Sequence, residues 1–248
     1  MDLTGDPAAA APPDAPWPLR VAVVMPALDE ERAIGAVLRE VPPQVAAVVV
    51  ADNGSRDRTA EVARAHGARV VREPRRGYGA ACLRGLAACR SLPGGPPDVV
   101  CFLDADYSDY PQDMPAVLAP IFAGEAELVI GSRMVLPDAR AALLPQARYG
   151  NRLAVRLIRL LWGARFTDLG PFRAVTWRAL ERVGMVDEGF GWTVELQVKA
   201  ARHGLRATEV PVRYRARVGT SKITGTVKGT VQAGAKILYS IGRYGLLP

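Results

Sequence analysis

The chain has 248 residues, 49% of them hydrophobic and 23% charged, which is enough apolar content for one large domain with a real core. Its formal net charge of +7 and pI near 9.7 point to an anionic partner: nucleic acid, an anionic membrane surface or phosphorylated small molecules. Aromatic residues are only 6% and no basic run is interleaved with them, which argues against a single-strand nucleic-acid binder.

Residues 1–18 are rich in Pro and Ala and lack the basic start and apolar block of a signal peptide, so they read as a disordered tail. Leu19 to Met25 is a strand pattern ending at Pro26. Asp29 stands where a helix N-cap belongs, with Ile34, Val37, Leu38 and Val41 at helical spacing behind it. Val45 to Ala51 reads as a second buried strand, and Asp52, Asn53, Gly54 and Ser55 form the turn at its carboxyl end. A helix from Thr59 to Gly67 and a short strand, Arg69 to Arg72, follow. Arg75 to Gly79 is a basic Gly-containing loop opening a helix through Leu83 and Leu86. Cys82 occupies the third position of any G-x-G-x-x-G match, which weighs against a dinucleotide fingerprint.

Val99 to Leu103 is an uninterrupted apolar run, the pattern of a strand covered on both faces. It delivers Asp104 and Asp106, two apart and so facing one way if the strand continues, with Ala105 turned aside. Clustered carboxylates repel unless a proton or cation sits between them, and hard oxygen ligands on a diphosphate suit Mg2+ or Mn2+. Asp109 and Asp113, just before Pro115, read instead as caps of the next helix. The first half is thus β-α-β-α-β-α-β, an α/β pattern that implies a mostly parallel, doubly wound sheet with helices on both faces and ligands beyond the carboxyl strand ends.

Leu128 to Ile130 is a further strand, ending at Gly131-Ser132-Arg133. A loop through Pro137 and Pro145 leads to a helix from Tyr149 to Trp162, with Arg152, Arg156 and Arg159 on one stripe. Thr193 to His203 is helical and Leu205 to Tyr214 a candidate strand pair. Residues 227–248 form a final amphipathic helix whose glycines require a packing partner, within the subunit or in a homo-oligomer. No apolar run reaches the roughly 18 residues of a bilayer span. Cys82, Cys89 and Cys101 have neither disulfide nor zinc spacing and read as core cysteines. A cytoplasmic protein, soluble or peripheral at the inner face of the membrane, is expected.

Six ordered motifs lie between Val21 and Ile223: Val24 to Glu31, Ala51 to Asp57, Arg76 to Ala80, Leu103 to Asp106, Gly131 to Arg133, and Gly219 to Lys222. Together they resemble the family 2 glycosyltransferases of the Rossmann-like GT-A fold, most of all the dolichol- or polyprenyl-phosphate mannosyl- and glucosyltransferases. The resemblance implies a GT-A domain over residues 19–226, with Pro26, Leu28, Glu30 and Asp52 around a nucleoside. It also implies that Asp104 and Asp106 hold Mg2+ or Mn2+ against the diphosphate, while Arg133, Arg217 and Lys222 face phosphates. Asp168 and Glu195 match family acids near the site, although Gly170-Pro171 stands where a Ser-Gly pair is usual. A surface pair of Glu195 with Lys199 at i,i+4 competes with a catalytic role.

The implied activity is inverting, metal-dependent transfer of a hexose from GDP-mannose or UDP-glucose to a lipid phosphate, with no nucleic acid involved. A phosphate acceptor attacks without a base, whereas a hydroxyl acceptor requires one, for which Asp168 or Glu195 is the candidate. A nucleotidyltransferase is disfavoured because Pro26 to Asp29 stands where its Gly-rich basic loop belongs, and a non-catalytic binding protein leaves the Asp104, Arg133 and Lys222 constellation unexplained.

Overall fold

The computed structural model describes residues 16–219 and 238–244. Lys222, the tail before residue 16 and most of the expected final helix lie outside the described residues. Among the described residues seven strands form one sheet: β1 (Val21–Ala27), β2 (Ala47–Asp52), β3 (Arg69–Arg72), β4 (Val99–Phe102), β5 (Leu128–Ser132), β6 (Arg173–Thr176) and β7 (Ala207–Pro211). Their order is β3-β2-β1-β4-β6-β5-β7. All pairings are parallel except those of β6, which runs antiparallel to both β4 and β5.

Among the described residues the α-helices that connect them are α1 (Ile34–Glu40), α2 (Thr59–Ala65), α3 (Tyr78–Arg90), α4 (Met114–Phe122), α5 (Pro137–Ala142), α6 (Pro145–Trp162), α7 (Trp177–Val183) and α8 (Trp192–Arg202). Residues 238–244 are also helical. On one face of the sheet Val24 and Phe102 pack under α3, α6 and α8, where Phe102 meets Trp192 edge-on with ring centroids 5.7 Å apart. On the other face Val23 and Cys101 pack under α1, α2 and α4. This two-sided cover is why β1 and β4 are apolar at every residue rather than at alternate ones. From β1 the strand order runs one way to β2 and the other way to β4, so a crevice opens between their carboxyl ends.

Several boundaries differ from the sequence expectation. β1 continues through Pro26 to Ala27. The Val24 carbonyl accepts from Leu103 N and the Ala27 carbonyl from Asn53 N, so by alternation Pro26 faces the β4 side, beyond the last β4 pairing, where no amide donor is needed. Asp29 adopts φ 53° and is no N-cap; its carboxylate accepts from Arg56 N and ties the β1 loop to the β2 loop. Asp113 precedes α4 without capping it and instead pairs with Arg213 at 2.6 Å. The Pro137 loop contains α5, and α6 begins four residues early at Pro145, whose missing N–H suits a first turn. Of the expected strand pair, β7 forms alone, parallel to β5. β6 went unread because it is only four residues long and opens on a fully buried arginine, which breaks the apolar pattern.

The loop between α7 and α8 packs its backbone onto the start of α3. Gly79 N donates to the Gly189 carbonyl at 3.0 Å and Ala80 N to the Glu188 carbonyl at 2.9 Å. A Cβ at Gly77 would lie 2.0 Å from the Glu188 oxygen, and one at Gly79 1.9 Å from the Asp187 oxygen. The Gly77-x-Gly79 pair therefore serves a close backbone approach, and two amides that a helix N-terminus could offer to phosphate are already taken. All three cysteines are buried and free, as expected.

Candidate functional site

Beyond β4 the chain turns at once, so Asp104 and Asp106 reach the crevice through a turn and not through strand alternation. Tyr107 takes φ 65°, a left-handed conformation that is costly for a residue of this size. Arg215 holds it there: its Nε donates to the Tyr107 carbonyl at 2.6 Å, its Nη2 to Glu40 at 3.1 Å, and its guanidinium lies 3.3 Å from the Tyr107 ring centre. The Tyr107 hydroxyl donates to the same Glu40.

This turn gathers three carboxylates. Asp104 is partly buried and accepts from the Tyr78 hydroxyl at 3.1 Å. Asp106 is buried; one oxygen accepts from Ser108 N at 2.9 Å, and the other lies 3.3 Å from Arg217. Asp109, expected as a helix cap, is instead 1% exposed, with one oxygen near Asp104 N and the other without a hydrogen-bond partner. Burial and the charge of Asp106 push Asp104 up to about 7, against the pull of Tyr78, Arg133 and Arg217. Burial and the charges of Asp104 and Asp106 likewise push Asp109 up.

Among the described residues no group of three or more His, Cys, Asp or Glu side chains is arranged to hold a metal. Two carboxylates suit a divalent cation that takes its remaining ligands from phosphate oxygens and water. The donor set Asp104 and Asp106 fits such an ion, because a cation between them would offset the burial and the repulsion that raise Asp104.

Pro26, Leu28, Glu30, Asp104, Asp106 and Arg217 line one cleft. Arg217 crosses it, with Nη2 2.9 Å from Glu30, Nη1 3.3 Å from Asp106 and a buried Nε that has no partner among the described residues. Asp52 does not reach the lining; it is buried and accepts from Ser55 N at 3.1 Å. Its neighbour Asn53 lines the cleft instead, donating to the Arg75 carbonyl at 2.6 Å and accepting from Gly77 N at 2.9 Å. Arg76, Tyr78 and Phe190 complete walls that the sequence reading missed. The first two sat in the motif around Gly77, and Phe190 opens the stretch that carries Glu195, where the acid alone was singled out.

Arg133 and Asp168 meet each other and not the cleft. Arg133 Nε and Nη2 donate to the two Asp168 oxygens at 2.8 and 2.9 Å, and Arg133 N adds a third bond at 2.9 Å. Asn151 also donates to Asp168, and the Arg133 guanidinium lies 4.9 Å from the Tyr214 ring centre. Burial raises Asp168, but the charge and hydrogen bonds of Arg133 outweigh it and hold the carboxyl below the usual range. Glu195 is fully buried and likewise absent from the cleft. It accepts from Val186 N at 2.9 Å and Asp187 N at 2.7 Å and pairs with Lys199 at 2.7 Å, so it shapes the loop before α8. Arg173, pushed down to about 10 by burial, donates to the carbonyls of Leu169, Gly170 and Thr193.

The family model described as Glycosyl transferase family 2 matches residues 22–183. The chain belongs to that family. An uncharacterized glycosyltransferase of Mycobacterium tuberculosis is 38% identical to this transferase over 214 residues, covering 86% of this chain and 94% of the relative. A dolichyl-phosphate hexose transferase of Haloferax volcanii is 34% identical, covering 82% and 86%. An undecaprenyl-phosphate mannosyltransferase of Micrococcus luteus is 30% identical, covering 92% and 95%. The fold matches the crystal structure of glucosyl-3-phosphoglycerate synthase from M. tuberculosis in complex with phosphoglyceric acid, with a TM-score of 0.72 at 24% identity over 93% of this chain and 81% of that one. A complex of that synthase with Mn2+, UDP and glucosyl-3-phosphoglycerate matches with a TM-score of 0.71. The transferase therefore has the GT-A fold, with one antiparallel strand in its sheet.

Two carboxylates give opposite pH signatures. Because Asp168 is held below its unfolded value, its stabilisation is complete above the ordinary carboxylate range of about pH 4 and is lost as the pH falls below it. Asp168→Asn leaves Arg133 buried without its partner, so it is expected to cost about 3–5 kcal/mol at pH 7 and to flatten the acid limb of a urea-unfolding series. Equal stability of variant and parent at pH 7 would refute that account. Asp104, raised to about 7, destabilises the metal-free fold as the pH climbs from about 4 to 7. Asp104→Asn in EDTA is therefore expected to unfold at a higher temperature than the parent at pH 8 and at the same temperature at pH 3.5. A lower melting temperature at pH 8 would contradict the assigned strain.

Proposed function

We propose that this transferase is an inverting, metal-dependent hexosyltransferase that moves a hexose from a GDP- or UDP-sugar to a polyprenyl phosphate. The observation that carries the reading is the pair Asp104 and Asp106 in one cleft with Glu30, Asn53, Arg76 and Arg217. Carboxylates for a cation, guanidinium groups for phosphate oxygens and the ends of β1 and β2 for a nucleoside together match a nucleotide sugar. Mg2+ or Mn2+, bound by Asp104 and Asp106, supplies the positive charge that a departing nucleoside diphosphate needs.

Arg217 carries a second part of that task. Its Nη1 and Nη2 reach Asp106 and Glu30 in the cleft wall, so its charge stands beside the carboxylates where a diphosphate would lie. Tyr78, by donating to Asp104, orients that carboxylate. The acceptor assignment draws on what Asp168 and Glu195 are doing. Both are fully buried and saturated by Arg133, Asn151, Lys199 and backbone amides, so neither is available to deprotonate a hydroxyl. A phosphate is already anionic and needs only positioning. The Haloferax and Micrococcus relatives, named for dolichyl- and undecaprenyl-phosphate, support the same acceptor class.

A lipid acceptor places the enzyme at a membrane surface. No helix among the described residues is long and apolar enough to cross one. On α6, Arg152, Arg156 and Arg159 are exposed, and beside them Tyr149, Leu153 and Leu160 are 70%, 47% and 80% exposed. The helix has no acidic residue. A cationic stripe flanked by an apolar one is the pattern of a helix lying on anionic lipid.

Thermal-shift binding of GDP-mannose, UDP-glucose, GDP and UDP, each with and without Mn2+, tests the donor. A metal-dependent rise in melting temperature with one base only is expected, and no rise with any of the four would sink the donor assignment. For the membrane, the parent is expected to sediment with phosphatidylglycerol-containing vesicles at low salt. The triple variant Arg152→Glu, Arg156→Glu, Arg159→Glu, each residue worth about 1 kcal/mol, is expected to stay in the supernatant; equal binding of the two would remove α6 from the interface.

A further inference from the structure

We propose that Phe190 contacts the hexose of the donor, its ring forming the flat wall on which one face of the sugar lies; this rests on the donor reading above. The ring is 49% exposed in the wall of the cleft that holds Tyr78, Asp104, Asp106 and Arg217. Single exposed apolar side chains are ordinary on a protein surface. This one differs because its backbone gives it no freedom to withdraw and its surroundings are charged.

The segment from Val186 to Gly191 is tied down on every side. Asp187, 2% exposed, accepts from Gly189 N at 2.7 Å and Gly191 N at 3.2 Å through one oxygen, and from the Tyr244 hydroxyl at 3.0 Å through the other. The Asp187 amide donates to Glu195, and the Glu188 and Gly189 carbonyls accept from the first turn of α3. Trp192, two residues beyond Phe190, is buried against Phe102. The ring is thus presented to the cleft from a fixed backbone, which is what a recognition surface requires and what the core does not use.

The rest of the cleft says which part of the donor it meets. The ends of β1 and β2 suit the nucleoside, and Asp104, Asp106, Arg76 and Arg217 suit the diphosphate and its cation. The remaining piece is a pyranose, which carries a face of C–H groups and a rim of hydroxyls. A fixed aromatic ring suits the face, with the Tyr78 hydroxyl and Asp104 close by for the rim. A nucleobase or the acceptor's isoprenoid chain would also lie on an aromatic ring, and the test separates them.

Titration calorimetry with Mn2+ would compare UDP with UDP-glucose and GDP with GDP-mannose on the parent, Phe190→Ala, Phe190→Leu and Phe190→Tyr. For the base that the parent binds, Phe190→Ala is expected to weaken the sugar nucleotide about tenfold and leave the bare diphosphate within about twofold. Phe190→Tyr is expected to restore the parent value. Phe190→Leu keeps apolar bulk without a flat ring, so it is expected to fall short of Phe190→Tyr, and it carries the test if the alanine variant fails to fold. Equal losses for diphosphate and sugar nucleotide, no loss for either, or a change confined to the Michaelis constant of the polyprenyl phosphate would each overturn the assignment. A parent that binds none of the four ligands would instead refute the donor reading on which it rests.

Discussion

The structure depends on tolerating three carboxylates within one turn at the end of β4. Asp104, Asp106 and Asp109 lie within six residues, Asp104 partly buried and the other two buried. Burial first, and then their mutual repulsion, pushes Asp104 and Asp109 upward. A protein selected for stability alone would not keep such a cluster, which is why strongly shifted groups in a cleft mark function. The surrounding chain opposes this strain with cations: Arg217 contacts Asp106, Arg133 acts through its charge from behind, and Arg215 clamps the left-handed Tyr107 that makes the turn possible.

Those cations come from far along the chain. Arg215 and Arg217 follow β7, the last described strand, and Arg133 follows β5, so the acidic turn is completed only when both ends of the domain have come together. Arg133 is itself restrained by Asp168, which Asn151 of α6 also contacts. Together these bonds join β5, α6 and the approach to β6 into one rigid support behind the cleft. Arg133 and Asp168, which the resemblance would place against the substrate, thus pair with each other away from the cleft lining.

The opposite wall uses backbone where the first uses charge. The loop before α8 sets its carbonyls against Gly77 and Gly79, and Glu195 and Asp187 pin its amides. Tyr244 links this wall to the helical residues 238–244 by donating a hydrogen bond to Asp187. The cleft is framed by short-range polar bonds at both walls, while the apolar layers above and below the sheet supply the bulk of the stability.

Much of the first half was legible without coordinates, because a doubly covered parallel sheet writes its strands as unbroken apolar runs and places its polar motifs at their carboxyl ends. β3 was read with its observed bounds, β1, β2 and β4 to within two residues, and Glu30, Asp104, Asp106 and Arg217, read as parts of one site, line one cleft. The tertiary structure alone decided which acids face the cleft. Asp52, Asp168 and Glu195 look as functional in sequence as Asp104, but each is consumed by a partner that sequence cannot place: Ser55 N, Arg133 and the Val186–Asp187 amides. Conversely Asp109, Arg215 and Phe190 carry no periodic signal, since their surroundings are assembled from strands and loops distant in the chain. Apolar periodicity is a local property, and so the sequence reports it. The pairing of charges across a sheet edge is a long-range one, and only the folded chain settles it.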